Sequence, residues 1–136
     1  MKEIITYLNF DGNCRDAMKF YQRCFGGELQ MVPLSKTQEG HPLEAKDRIM
    51  HARLVNGSSV LMASDMMHGM PFHQGNNVSV CVNCGSSEEI ETYFAGVSEG
   101  GTVTMPLQDT FWGARFGMVT DHFGIHWMFN FEQAKA

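Results

Sequence analysis

The chain has 136 residues, enough to bury a real core, with 43% hydrophobic and 18% charged residues and no apolar run of membrane-spanning length. Ten Lys and Arg against fifteen Asp and Glu leave a net charge of −5, the wrong sign for attraction to a phosphate backbone, so nucleic acid is not an expected partner. The run Met1-Lys2-Glu3-Ile4-Ile5-Thr6 enters a strand-like pattern at once, without the apolar core and cleavage site of a signal peptide, which points to the cytoplasm.

Residues 4–10 alternate as a strand, and Asp11-Gly12-Asn13 turns the chain, with Asn13 placed to cap a helix and Asp16 favourable to its N-terminus. Cys14, Ala17, Met18, Tyr21, Cys24 and Phe25 form one apolar helical face. Gly26-Gly27 stops the helix, Glu28 to Leu34 resumes as a strand, and 35–47 reads as a loop. Strands at 48–55 and 58–64 then flank Asn56-Gly57, a type I′ hairpin signal. Residues 66–75 form a linker carrying Met66, Met67, Met70, His68 and His73. Beyond it come a strand at 77–83, a helix capped by Ser86 with Ile90, Tyr93, Phe94 and Val97 inward, and a stop at Gly100-Gly101. A strand at 102–108 and a hairpin of 113–120 and 125–131 around Asp121-His122-Phe123-Gly124 complete the chain.

The second half repeats the first. Adding 73 to each number lays Gly12 on Gly85, Gly27 on Gly100, Pro33 on Pro106 and Leu34 on Leu107, with Phe20-Tyr21 on Tyr93-Phe94. The expectation is α+β: a single domain, 1–136, of tandem βαβββ modules (1–65 and 76–132) forming a curved mixed sheet, with 66–75 between them. Cys81 and Cys84 sit on a strand about 10 Å apart at ~3.3 Å per residue, too far for a disulfide. All four cysteines are therefore expected as free thiols in a reducing compartment.

A βαβββ unit used twice resembles the vicinal oxygen chelate superfamily, the glyoxalase and bleomycin-resistance fold. This chain is most similar to its PhnB-like branch through Tyr7-Leu8-Asn9-Phe10-Asp11-Gly12-Asn13, Phe25-Gly26-Gly27, His51-Ala52, Ser64-Asp65, Thr110-Phe111-Trp112, Phe116-Gly117, Phe123-Gly124 and Trp127-Met128. Some members of that branch carry a 3-demethylubiquinone methyltransferase label. Against that label, the chain has no Gly-rich strand-to-helix turn to hold S-adenosylmethionine and too few residues to build the fold around one. The resemblance also implies a homodimer and, in metal-dependent members, a divalent ion held by His and Glu of the first and last strands of each module. Carried onto this sequence, those positions are Thr6, Ser79, Met128 and a residue near Leu61, none of which replaces a His/Glu set. No metal and no other cofactor is therefore expected at the usual site.

The remaining candidates line a sheet cavity. If the ligand positions that the resemblance implies face the cavity, strand alternation turns Thr6, Leu8 and Phe10, then Ser79, Cys81 and Asn83, then His126, Met128 and Asn130 inward, leaving Val78, Val80, Val82 and Trp127 under the helices. His51 and Arg53 share a strand face, and Arg115, flanked by Trp112, takes the place of Arg53 in the repeat. Which face of strands 48–55 and 113–120 turns inward stays open. His51 and His126 are the candidate acids or bases. Thr6, Leu8, Arg53, Ser79, Cys81, Trp112, Arg115 and Met128 are the candidate ligand contacts, with the arginines suited to a carboxylate or phosphonate. The expected function is binding of a small oxygenated or anionic metabolite without the usual metal; the alternative is a metal-assisted or His-based isomerase, lyase or glyoxalase-like enzyme.

Overall fold

The structure is a computed structural model and describes residues 1–34 and 48–133; the loop expected at 35–47 lies outside the described residues. The chain divides into two compact units, Met1–His73 and Gln74–Ala136. Unit 1 runs β1 (Thr6–Phe10), α1 (Cys14–Phe25), β2 (Glu28–Pro33), β3 (Ile49–Asn56) and β4 (Ser59–Asp65). Unit 2 runs β5 (Val80–Asn83), α2 (Ser87–Ser98), β6 (Thr102–Asp109), β7 (Ala114–Thr120) and β8 (His126–Glu132). Each unit is a four-stranded mixed sheet, ordered β1-β4-β3-β2 in unit 1 and β5-β8-β7-β6 in unit 2, with the outer first strand parallel to the last. The fold is the α+β arrangement the repeat implies. No helix among the described residues is long and apolar enough to cross a membrane.

The helices form where the apolar spacing predicts, but their N-termini are secured differently. In α2 the Ser86 hydroxyl accepts the Glu89 N–H at 3.1 Å while the Glu89 carboxylate accepts the Gly85 N–H at 3.0 Å, a reciprocal cap. In α1 Asn13 makes no side-chain capping bond. The end of β4 supplies the acceptor instead: Asp65 Oδ1 takes the N–H groups of Gly12 and Cys14 at 2.8 and 3.0 Å, and Oδ2 takes the Ile49 N–H at 2.8 Å. The reason is register, because Phe10 pairs with Asp65 where β1 gives way to the helix, placing a carboxylate at the positive end of the helix dipole.

The β3–β4 loop also departs from expectation. Asn56 pairs with Ser59, so the two loop residues are Gly57-Ser58 and not Asn56-Gly57. Gly57 has φ +59° and no non-glycine residue among those described has positive φ, which is the sign order of a type II′ turn.

Each sheet buries one face against its helix. In unit 1 that face carries Leu8, Phe10, Ala52, Leu54 and Ala63, packed with Cys14, Ala17, Met18 and Tyr21 of α1. In unit 2 it carries Gly117, Val119, Trp127 and Phe129, with Ile90 and Val97 of α2. Gly117 is required by close approach: a Cβ there would lie 2.6 Å from the Phe94 ring.

Burial pushes the Cys14 thiol up to about 12, with the Asp65 carboxylate adding to the effect. The native state therefore keeps this thiol protonated where the unfolded chain ionises. Stability from Cys14 should be intact below about pH 9 and fall between about 9 and about 12. Urea midpoints measured across that range should decline more steeply for the wild type than for Cys14→Ala, and parallel curves would refute the assignment.

Candidate functional site

The face of the unit 1 sheet turned away from α1 gathers polar side chains. Tyr7 on β1 and His51 on β3 meet there, with the phenol oxygen 3.2 Å from His51 Nδ1 and the rings 5.9 Å apart. Arg53 is two residues along β3 from His51, pairs with Met62 of β4 and Gln30 of β2, and is exposed. It makes no ion pair among the described residues. The other arginine of this region, Arg48, is already engaged, bound to Asp11 at 2.9 Å and to the Met66 carbonyl at 2.9 Å.

This face corrects the expected orientation of β1. Leu8 and Phe10 are 9% and 1% exposed and lie under α1, and alternation puts Thr6 on their side, whereas Tyr7 and Asn9 turn away. The repeat slips by one residue here: Phe10 is buried in the manner of Cys84, so numbering carried across the duplication inverts the parity of the first strand. In unit 2 the expectation holds for β5, where Cys81 and Asn83 are exposed and Val80 and Val82 half-buried. Ser79 lies one residue before that strand.

The two arginines aligned by the repeat are not equivalent. Arg115 shares its face of β7 with Gly117 and Val119, on the α2 side, where Glu91 of α2 accepts from its Nε and Nη2 at 2.9 and 2.7 Å and Asp109 from Nη1 at 3.3 Å. The Glu91 bonds hold its pKa above the ordinary arginine value. Trp112 sits in the turn between β6 and β7, 60% exposed and edge-on to Phe111, away from the strands. His126 is on the face away from α2, with Nε2 2.9 Å from the Gly75 carbonyl and Nδ1 2.9 Å from the Thr120 hydroxyl. Since a carbonyl only accepts, Nε2–H donates to Gly75, and Nδ1 is held by the Thr120 hydroxyl. Both nitrogens are thus engaged, while among the described residues His51 is bonded at Nδ1 alone.

Cross-strand pairing defines the donor set available to a metal. Away from the helices, first and last strands bring together Tyr7 with Met62 and Cys81 with Met128. Thr6 pairs with Leu61 on the α1 side. Among the described residues no three His, Cys, Asp or Glu side chains converge as a metal site. Phenol, thioether and a single thiol do not suit the divalent ion that the fold family uses.

Tyr7, which sequence reasoning passed over as a functional residue, is the partner that orients His51. The signal was present in β1 itself, where Tyr7-Leu8-Asn9-Phe10 alternates polar with apolar.

The sequence profile of a family described as 3-demethylubiquinone-9 3-methyltransferase matches residues 2–129. Protein YjdN of Escherichia coli is 34% identical over 140 aligned positions covering 91% of each chain. Protein PA1353 of Pseudomonas aeruginosa has a solved structure that is 46% identical, with a TM-score of 0.88, covering 98% of this chain and 100% of that one. A Bacillus cereus structure described as a putative 3-demethylubiquinone-9 3-methyltransferase, PhnB protein, is 26% identical with a TM-score of 0.76, covering 96% and 99%. Solved proteins of the glyoxalase/bleomycin resistance/dioxygenase group share the fold at 15% and 18% identity, with TM-scores of 0.63 and 0.57.

Proposed function

The chain belongs to the PhnB-like 3-demethylubiquinone-9 3-methyltransferase family, with the glyoxalase/bleomycin-resistance fold, and from that premise we propose that it binds a small oxygenated or anionic molecule on the Tyr7–His51–Arg53 face. Binding proceeds without the divalent ion of metal-dependent relatives by fold. The observation that carries this reading is Arg53, an exposed guanidinium with no carboxylate partner among the described residues, two residues along the strand from a histidine that keeps Nε2 available. A guanidinium in that position presents paired N–H donors to a carboxylate or phosphonate, and His51 with Tyr7 reads a neighbouring oxygen. The protein works in this reading as a cytoplasmic homodimer, and methyl transfer is not its reaction.

A second reading rests on the Tyr7–His51 hydrogen bond. A phenol on Nδ1 fixes the ring and lets Nε2 accept or return a proton, as isomerase or lyase chemistry on the bound molecule requires. Turnover separates the two readings.

Calorimetry across a panel of small carboxylates and phosphonates tests the site. A ligand found in this way should bind Arg53→Ala about 1–3 kcal/mol more weakly, as expected when a hydrogen bond to a charged group is lost. Arg115→Ala, whose guanidinium is held by Glu91 and Asp109, should bind normally. Unchanged affinity in both Arg53→Ala and His51→Ala would move the site elsewhere.

A further inference from the structure

The opposite chemistry occupies unit 2. On the face away from α2, the register runs Cys81 to Met128 and Met128 to Met118, so three adjacent strands, β5, β8 and β7, contribute a sulfur side chain to one row. Strand neighbours hold their Cβ atoms about 4.5–5.5 Å apart, and methionine's three rotatable bonds let adjacent sulfurs converge on a shared point. Met128 and Met118 are half-buried and Cys81 is exposed, so the row is reachable from one end.

We propose that the Cys81–Met128–Met118 row is a binding site for a soft monovalent metal ion, Cu(I) or its analogue Ag(I). Three observations support this occupant. Thioethers are neutral, soft donors that favour Cu(I) over Zn(II), Ni(II) or Mn(II). The flanking row is Asn83, Asn130, Phe116 and Gln108, without a carboxylate to draw a hard cation. The nearby imidazole of His126 is already committed to Thr120 and Gly75, leaving a donor set of sulfur alone.

The chemistry balances without a redox step. A Cu–S bond forms at Cys81 as its S–H bond breaks and the proton passes to solvent, while Met128 and Met118 each donate a sulfur lone pair. One thiolate neutralises one monovalent charge, so the bound ion brings no net charge onto the sheet. The site stands apart from the unit 1 reading and rests on different residues.

The test is anaerobic transfer of Cu(I) from its coloured bicinchoninate complex to the reduced full chain. The wild type should withdraw about one equivalent. Met128→Leu and Met118→Leu keep volume and apolarity but remove the donor, and each should weaken retention ~10–100-fold with an unchanged urea midpoint. Cys81→Ser should behave likewise, and Cys24→Ser, which alters a thiol on α1, should retain the metal fully. No withdrawal by the wild type, retention unaffected by both leucine variants, or a loss that follows Cys24→Ser would each overturn the proposal.

Discussion

Asp121→Ala should destabilise the protein by about 3–5 kcal/mol, close to the total stability of a marginal domain. The side chain is 3% exposed and its two oxygens accept three bonds: the N–H groups of Phe123 and Ile125 at 2.9 and 3.0 Å, and the Trp127 indole N–H at 2.8 Å. Truncation strands these donors, and the indole is in the core, where no water replaces the lost acceptor. Asp121→Asn should recover only part of the loss, because one of its two positions becomes an N–H₂ group facing donors. Urea unfolding followed by circular dichroism measures both, and a loss below about 1 kcal/mol in the alanine variant would contradict the assignment.

Asp65→Ala should cost about 2–4 kcal/mol, and Asn13→Ala less than about 0.5 kcal/mol, the reverse of what helix-capping preference at the sequence level implies. Asp65 joins three elements through the N–H groups of Gly12, Cys14 and Ile49, whereas Asn13 occupies the cap position without using its side chain. The same denaturation measurement on the pair decides it. Equal losses would show that the cap is shared.

These two carboxylates mark the boundary of what local pattern reveals. The helices, the glycine stops and the doubled βαβββ order follow from periodicity and from Gly26 and Gly100, so the architecture was legible residue by residue. Asp65 was visible only as the residue after Ser64, because its role depends on a parallel pairing with β1 more than fifty positions earlier. The candidate site failed for a related reason. His51 and Arg53 share one face as strand alternation implies, but the ligand position that the resemblance places at Thr6 turns Leu8 and Phe10 inward and their neighbour Tyr7 outward, the reverse of what the burial of Leu8 and Phe10 shows. Arg115 matches Arg53 only through the echo of Ala52-Arg53-Leu54 in Ala114-Arg115-Phe116, although Gly117 two residues on, needed beneath Phe94, marks that face of β7 as helix-covered. The sulfur row is spread over three strands, and only register assembles it.

The pairing of β1 with β4 has a consequence for synthesis. Strand β1 leaves the ribosome before β3 and β4 and has no partner within its sheet until their hairpin has emerged, when it docks at the sheet margin in the parallel sense. Closure over that separation is slow compared with the β3–β4 hairpin, whose ends are adjacent in the chain. The nascent strand Thr6–Phe10 must therefore wait without a strand partner to cover Leu8 and Phe10, and a cell that makes this protein quickly has most to gain from a chaperone that binds this strand.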